Sequence, residues 1–598
     1  MSTVNIIDLL TNPFDVIIIG GGTAGLVLAT RLSEEPGVQV GVIEAGSFRL
    51  DDPKQPDYDW NFESIPQAGT SEKAYHLPRG KMLGGSSGIN FMSYNRPCAE
   101  GLNDWAEKLG IKGWRWSALV PYFKQSENLE PVINTSATDC PVNLEAHGIN
   151  GPIHASIGSW QPPIEESLLA AFDEAAHLPR PVEPYSGDHL GFYRSLFTIN
   201  RTSKPVRSYA AKGYFASVMG RPNLKVLENA QVCRFILSDA SDGTLDAEGV
   251  GFHHMGKRHV VSAKRGLILS AGSFQGPQLL ELSGIGDPHV LEQAGIVCRV
   301  ANVDVGNNLQ EHTMYPSLYA KHHSGALSGS LSLMGFIPYS SHADKMDTTI
   351  SRIFSTSTVN SGGLAQQNIN YQRQQQEVIA SRMQSPRSAN IQFIGIPAYF
   401  NTSTGHQNFT KVMSSPPVGY YPCYSIFVSN MYPVSRGEVH VWTSNPLDAP
   451  AIDPGFLSHP VDVDFLATGT VFVDQVFQSK LLNGKIGRRV SPPAGLDLAD
   501  LEEARRFVRD NIMPYHHPLG TCAIGQVVDE RLRVKGVRRL RVVDASVMPM
   551  QVSATIMATV YAIAERASDI IKEALELGGS TACDAMGGCL IEGFGIHM

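Results

Sequence analysis

The first regular pattern in the chain is Phe14-Asp15-Val16-Ile17-Ile18-Ile19, an apolar, β-branched run that predicts a core strand. It leads into Gly20-Gly21-Gly22-Thr23-Ala24-Gly25 and then into Leu26-Val27-Leu28-Ala29-Thr30-Arg31-Leu32, whose spacing predicts a helix. A second strand, Val40-Gly41-Val42-Ile43, ends in Glu44. Together these make one βαβ unit of about 30 residues, the size that opens a doubly wound sheet. Gly266-Leu267-Ile268-Leu269-Ser270-Ala271-Gly272 and the much later Leu540-Arg541-Val542-Val543-Asp544 read as further strands of the same sheet, so the body that contains it is discontinuous.

Between residues 313 and 504, alternating runs such as Tyr424-Ser425-Ile426-Phe427-Val428 and Glu438-Val439-His440-Val441-Trp442 predict an antiparallel sheet. Residues 355–390 are rich in Ser, Gln and Asn, with Gln366-Gln367 and Gln374-Gln375-Gln376, and show no core periodicity; they read as an exposed insertion and a candidate lid. From Ser553 to Leu577 the spacing of Ile556, Val560, Ile563, Ala567, Ile570 and Ile571 predicts a closing helix, and the Gly-rich residues 578–598 read as a poorly ordered tail. No internal repeat is present.

Composition narrows the class. A chain of 598 residues exceeds what one core organises, and 42% hydrophobic with 18% charged residues excludes a disordered or fibrous protein. The net charge of −9 comes without any Lys/Arg cluster, which excludes nucleic acid as a partner. The eight cysteines form no CxxC pair and no metal-ligand spacing, so no metal is expected; most read as buried thiols, while Cys583 and Cys589 could pair. The run at 14–19 is too short to span a membrane and no signal segment is visible, which predicts a cytoplasmic protein with no membrane partner. Sequons at Asn134, Asn200, Asn401 and Asn408 then read as chance triplets, and His253-His254 and His322-His323 as surface residues.

The chemistry begins at Gly20-x-Gly22-x-x-Gly25. Its place between strand and helix lets the first glycine make the tight turn, the second admit a pyrophosphate and the third pack helix on strand, with Thr23 and Ala24 at the helix N-terminus. Glu44, 19 residues after Gly25, can accept hydrogen bonds from ribose hydroxyls and would repel a 2′-phosphate. These features predict a Rossmann-like dinucleotide site.

Further along stands Arg79-Gly80-Lys81-Met82-Leu83-Gly84-Gly85-Ser86-Ser87-Gly88-Ile89-Asn90, with Pro97 and Asn103 beyond it. This block resembles the first signature of the glucose-methanol-choline oxidoreductases, and Gly272 to Gly286 resembles the second, with Gly276 where Ser or Thr is usual. Val305-Gly306-Asn307-Asn308-Leu309-Gln310-Glu311-His312, with Glu311 where Asp is common, and His516-His517-Pro518-Leu519-Gly520-Thr521-Cys522 with Val542 to Pro549 are similar to later blocks of the family. The resemblance covers residues of about 14 to 570 and extends to fungal aryl-alcohol oxidase- and dehydrogenase-like members.

The resemblance implies FAD rather than NAD, and two domains. A Rossmann-like, α/β FAD-binding domain would take residues 12–155, 200–312 and 505–577; an α+β substrate-binding domain, an antiparallel sheet flanked by helices, would take 156–199 and 313–504. It implies that Gly84 and Gly85 approach the cofactor, Asn90 lies near the flavin ring, Val232 contacts the adenine side through its backbone, and Asp544-Ala545 follow the ribityl and pyrophosphate chain. Some members tether FAD through a histidine at the position that is Ile89 here, so a non-covalent flavin is expected.

Removing a hydride from a carbinol carbon is easier as the hydroxyl proton leaves, so the reaction needs a base near neutral pKa, which histidine provides. The resemblance puts His517 at that base, where its imidazolium could afterwards stabilise negative charge on reduced oxygen species. His516, just before it, is a second polar contact or a support for its neighbour. Counting from Pro549 and Tyr561, the family's second catalytic position, usually His or Asn, falls on Thr555, which can neither act as a base nor hold positive charge. The expected reaction is oxidation of a small-molecule alcohol, aromatic or polyketide-like and in secondary metabolism, to an aldehyde, ketone or lactone, with O2 or another electron acceptor. The alternative is a flavoprotein of the same fold with a net non-redox, lyase- or isomerase-like reaction. Nothing in the sequence assigns an oligomeric state.

Overall fold

A computed structural model describes residues 6–48, 58–130, 143–158, 164–321, 333–342, 346–355, 366–413 and 423–575. The expected tail, the Cys583 and Cys589 pair, Cys140, Asn134 and His322-His323 lie outside the described residues.

The strand Phe14–Ile19 is buried along its length, which its uninterrupted apolar run requires, and lies parallel between Val40–Ile43 and Lys257–Leu269. Val40–Ile43 pairs on its other side with Leu224–Leu227. A Cβ on Gly41 would lie 3.1 Å from the Phe14 ring, which would have to shift to admit it. Lys257–Leu269 changes role midway. Its apolar second half pairs parallel with Phe14–Ile19 and with Leu540–Val542, whereas its polar first half pairs antiparallel with Leu245–His254, which in turn pairs with Ala230–Asp239. The predicted discontinuous sheet is thus present, built from residues more than 500 positions apart.

Above it the helix Thr23–Leu32 packs against the closing helix Met557–Ala574. Arg31 makes a two-pronged ion pair to the buried Glu565 (2.6 and 2.9 Å), and Glu565 also accepts from Tyr214 Oη (2.8 Å) and Gln125 Nε2 (3.1 Å). Burial pushes the Glu565 carboxyl up, and these donors oppose that shift.

The second sheet is antiparallel throughout, in the order Ile486–Ser491, Thr313–Lys321, Cys423–Asn430, Ile391–Ile396, Leu333–Ile337, Gly191–Arg194. Its period-2 alternation divides two jobs. Ile391, Phe393 and Val428 face the helix Pro460–Phe477, which comes so close that a Cβ on Gly469 would lie 2.3 Å from Val428. Ile394, Ile396 and Phe427, one residue out of phase, line a cavity instead.

Three expectations are corrected. Residues 366–384 are not an exposed insertion but a helix, Gln366–Gln384, with Tyr371, Gln375, Val378, Ile379 and Met383 buried; its inward face is partly polar, which hid it from hydrophobic periodicity. Glu438–His440 does not join the antiparallel sheet; it pairs with Ala451–Asp453, and His440 bonds the buried Glu281 (2.6 Å). His254 is buried, with Nδ1 3.1 Å from the Asn229 carbonyl oxygen, because it ends a central strand of the first sheet. The five described cysteines form no disulfide with one another: Cys98, Cys233, Cys423 and Cys522 are buried and Cys298 is half-buried.

Arg31→Ala would leave the Glu565 carboxylate buried without its cation. Urea unfolding is expected to show a loss of about 3–5 kcal/mol, most of it restored by adding Glu565→Leu; equal loss in the single and double variants would contradict this account.

Candidate functional site

A cavity of about 350 Å³ runs between the two sheets. At one end its wall is bare backbone. Gly20 (φ +96) makes the turn out of the first strand, and a Cβ on Gly25 would strike the Gly20 carbonyl oxygen at 1.9 Å, so the glycine pair brings helix and strand together. Gly20, Gly22, Thr23 and Ala24 line the cavity; Gly25 stands behind them as packing. Gly84 also stands behind, donating its N–H to the Gly21 carbonyl (2.8 Å), while Gly85 lines the cavity. Around Gly22 a Cβ would find only the Gly85 Cα, at 3.9 Å, and around Gly272 nothing within 4 Å, so the chain is open to an extended ligand at both places.

Glu44 accepts the Gly21 and Gly46 N–H groups through separate oxygens (2.7 Å each). Burial pushes its carboxyl up to about 7 against the pull of these two amides. Asp544 is held in the same way, by the Gly272 N–H (2.8 Å) on one oxygen and Ser546 on the other, and burial raises its pKa. Asp544, Ala545, Glu44 and Val232 all line the cavity. Asn90 lines it too, fixed by Arg207, which donates to its carbonyl (2.7 Å) and its Oδ1 (2.9 Å), and by its own Nδ2 on Met557 Sδ (3.1 Å). Amides at a helix N-terminus, accepting carboxylates with lone pairs to spare and a bare glycine floor suit a dinucleotide with a pyrophosphate. Ile89, also in the wall, has no nucleophilic atom.

At the other end the wall is Ile394, Ile396, Phe427, Phe400, Phe409 and Met513, with His516, His517 and Thr555 set into it. The His517 loop is held by side chains from several elements. Its N–H donates to Glu311 Oε1 (2.6 Å) and its carbonyl accepts from Gln551 Nε2 (2.9 Å). Gln375, from the helix that replaces the expected insertion, donates to the Pro549 carbonyl (2.7 Å) and to Asn308 Oδ1 (3.1 Å) in the adjoining network. Burial pushes Glu311 up to about 8, with Arg79 opposing.

The ring of His517 is the informative part. Its Nδ1 lies 3.0 Å from Nδ1 of His312, whose Nε2 lies 3.2 Å from the Met431 carbonyl oxygen. Burial lowers His312 to about 3, so the ring is neutral and has one N–H. A carbonyl only accepts, so that proton sits on Nε2, and Nδ1 of His312 is an acceptor. Nδ1 of His517 must then be the donor, and its Nε2 is left with a lone pair. Burial, with lesser contributions from His312, His516 and Arg79, holds His517 well below the usual imidazole range.

His516 takes a positive φ (+65°), its carbonyl accepts from Arg79 Nη2 (2.9 Å), and its ring stands edge-on to Phe409 at 4.3 Å. Both its ring nitrogens are buried and have no hydrogen-bond partner among the described residues. Thr555 is fixed by Asn95, whose Oδ1 accepts both its N–H and its hydroxyl. His312 was visible as the last residue of the Val305 to His312 block, but its role comes from contact with a residue 205 positions away. Arg207 and Asn95 gave no sequence signal. Among the described residues no group of His, Cys, Asp and Glu could hold a metal, and no helix is long and apolar enough to cross a membrane.

Two bodies, one a glycine-floored cradle that suits a dinucleotide and the other an antiparallel sheet closing over it, define a dinucleotide-binding protein with an apolar site beside the cradle. GMC oxidoreductase family models match residues 14–314 and 433–564. The chain is 69% identical to dehydrogenase mpl7 of Monascus purpureus, over 96% of this chain and 98% of that protein. Among solved structures, an FAD-dependent oxidoreductase from Chaetomium thermophilum superposes with a TM-score of 0.83 at 26% identity, covering 94% of this chain and 100% of that one. A fungal aryl-alcohol oxidase does so with 0.82 at 26%, covering 95% and 100%. The chain belongs to the GMC oxidoreductases and is an FAD-dependent enzyme.

Gly85 (φ +53) would place an alanine Cβ 2.9 Å from the Gly22 Cα. Gly85→Ala is therefore expected to purify with little FAD, read as flavin absorbance per protein; full occupancy would show that this contact does not shape the cradle.

Proposed function

We propose that this enzyme oxidises a small, mainly apolar aromatic alcohol, with Nε2 of His517 taking the hydroxyl proton. The observation that carries this reading is the one-way chain from the Met431 carbonyl through His312 to His517, which leaves a lone pair on the second nitrogen of an imidazole in the cavity wall. An alcohol donating to that nitrogen loses its proton there as the C–H bond weakens. The imidazolium so formed keeps its Nδ1–H on His312, so the ring need not turn to receive the proton. Glu311 and Gln551 hold the peptide on both sides of the ring. The apolar wall excludes water and accepts an aryl ring.

Bound FAD supplies the acceptor for the hydride leaving the carbinol carbon. We assign Gly20, Gly22, Thr23 and Ala24 to its pyrophosphate, with Gly25 and Gly84 shaping the floor beneath. Glu44 takes the ribose hydroxyls, Val232 the adenine side, Gly85 and Asn90 the ring, and Asp544 with Ala545 the ribityl chain. Ile89 offers no atom for a tether, which makes the flavin non-covalent.

His517→Ala is expected to keep FAD but slow alcohol-dependent flavin reduction by about 100-fold; unchanged kinetics would remove His517 from the reaction. Acid precipitation should leave the yellow colour in the supernatant, and colour retained on the pellet would refute the reading of Ile89. Because burial lowers the pKa of His517, its neutral form persists below the ordinary value of about 6.5. Flavin reduction by saturating alcohol should therefore stay flat as pH falls from 7 to about 6, whereas a midpoint at or above 6.5 would place the titrating base elsewhere.

A further inference from the structure

Thr555 stands in the cavity wall with the direction of its hydrogen bonds fixed. Its N–H donates to Asn95 Oδ1 at 3.0 Å, so the amide oxygen, and not the amide nitrogen, faces Thr555. Its Oγ1 lies 2.5 Å from the same oxygen and 3.3 Å from the Ser93 carbonyl oxygen. Both neighbours are acceptors, and a hydroxyl has one proton. That proton is spent inside the protein, and Thr555 has only lone pairs left to offer a ligand. A histidine or asparagine here could donate to the carbinol oxygen as it gains negative charge; Thr555 cannot, and its lone pairs would repel that charge. Ser93, also in the wall, has a buried Oγ with no partner among the described residues, so the polar patch around Thr555 is unsatisfied by the protein alone.

We propose that Thr555 is a substrate-binding acceptor for a second hydroxyl, and that the preferred substrate is an aryl carbinol with a phenolic hydroxyl beside the carbinol group. The proposal rests on the reaction assigned above to His517. In it one hydroxyl donates to Nε2 of His517 and is oxidised, while the other donates to Oγ1 of Thr555 and is untouched. An aliphatic hydroxyl on the neighbouring carbon offers the same donor, and the apolar, aromatic wall favours the phenolic source.

The test uses holoenzyme, wild type and Thr555→Val and Thr555→Ser, with 2-hydroxybenzyl alcohol, 2-methoxybenzyl alcohol and 1-phenylethane-1,2-diol. Anaerobic flavin reduction gives both the limiting rate and the apparent dissociation constant. Wild type should favour the hydroxy over the methoxy compound by at least about fivefold, chiefly in the dissociation constant, as one net hydrogen bond allows. Thr555→Val should abolish that preference and Thr555→Ser should keep it. An equal preference in wild type and Thr555→Val, or a wild-type preference for the methoxy compound, would overturn the proposal. Tighter binding of the diol than of the phenolic compound would overturn the assignment of the phenolic source. Should the valine variant fail to fold, Thr555→Ala is read in the same way. If no alcohol reduces the flavin of wild type, the proposed reaction fails by itself. The role of Thr555 is then read from catechol and phenol titrated against the oxidised flavin spectrum, where Thr555→Val must lose the preference for catechol.

Discussion

A carbonyl oxygen accepts and never donates, and the centre of this molecule depends on that one-way property. The Met431 carbonyl fixes the proton of His312, His312 fixes that of His517, and the remaining nitrogen of His517 carries the lone pair by elimination. Sheet register sets this up. Thr313–Lys321 pairs with Cys423–Asn430 with Met314 opposite Ser429, and continuing that register places His312 opposite Met431. A slip of one residue would exchange the faces of the strand and take away the acceptor on which the tautomer rests.

The two ends of the cavity are built by opposite means. The cradle relies on backbone, and its carboxylates Glu44 and Asp544 are clamped by amides in the cavity wall. The far end relies on side chains, most of them apolar, with few polar atoms, some paired with one another and some, such as the His516 ring nitrogens and Ser93 Oγ, without a partner among the described residues. Low polarity strengthens each of those remaining bonds and raises the penalty for leaving one unmade. Burial is accordingly the largest cause displacing His517, His312 and Glu311 from their ordinary titration ranges.

Much of this was legible in the sequence because it is local. The glycine turn, the acid at the end of the second strand and the blocks around Gly85, His517 and Asp544 each carry their geometry within a dozen residues. What escaped was made by distant partners. The helix Gln366–Gln384 buries Gln375, whose amide reaches the Pro549 carbonyl, and a glutamine on an inward face carries no hydrophobic signal. Glu438–His440 alternates as a sheet strand should, but the partner that settles its place is the buried Glu281 on another element. His312, Asn95 and Arg207 matter through single atoms on remote segments, and spacing along a chain does not encode which lone pair is free.

The strand Lys257–Leu269 has one consequence for how the protein is made. Its second half needs Leu540–Val542 on one flank, and Arg31 needs a partner 534 positions later. During synthesis from the N-terminus, an apolar strand edge stands bare while nearly half the chain is still to be translated, and the first helix waits for the last. Until the late segment arrives, that edge is open to pairing with other chains, so Leu540–Val542 shields the sheet as well as completing it.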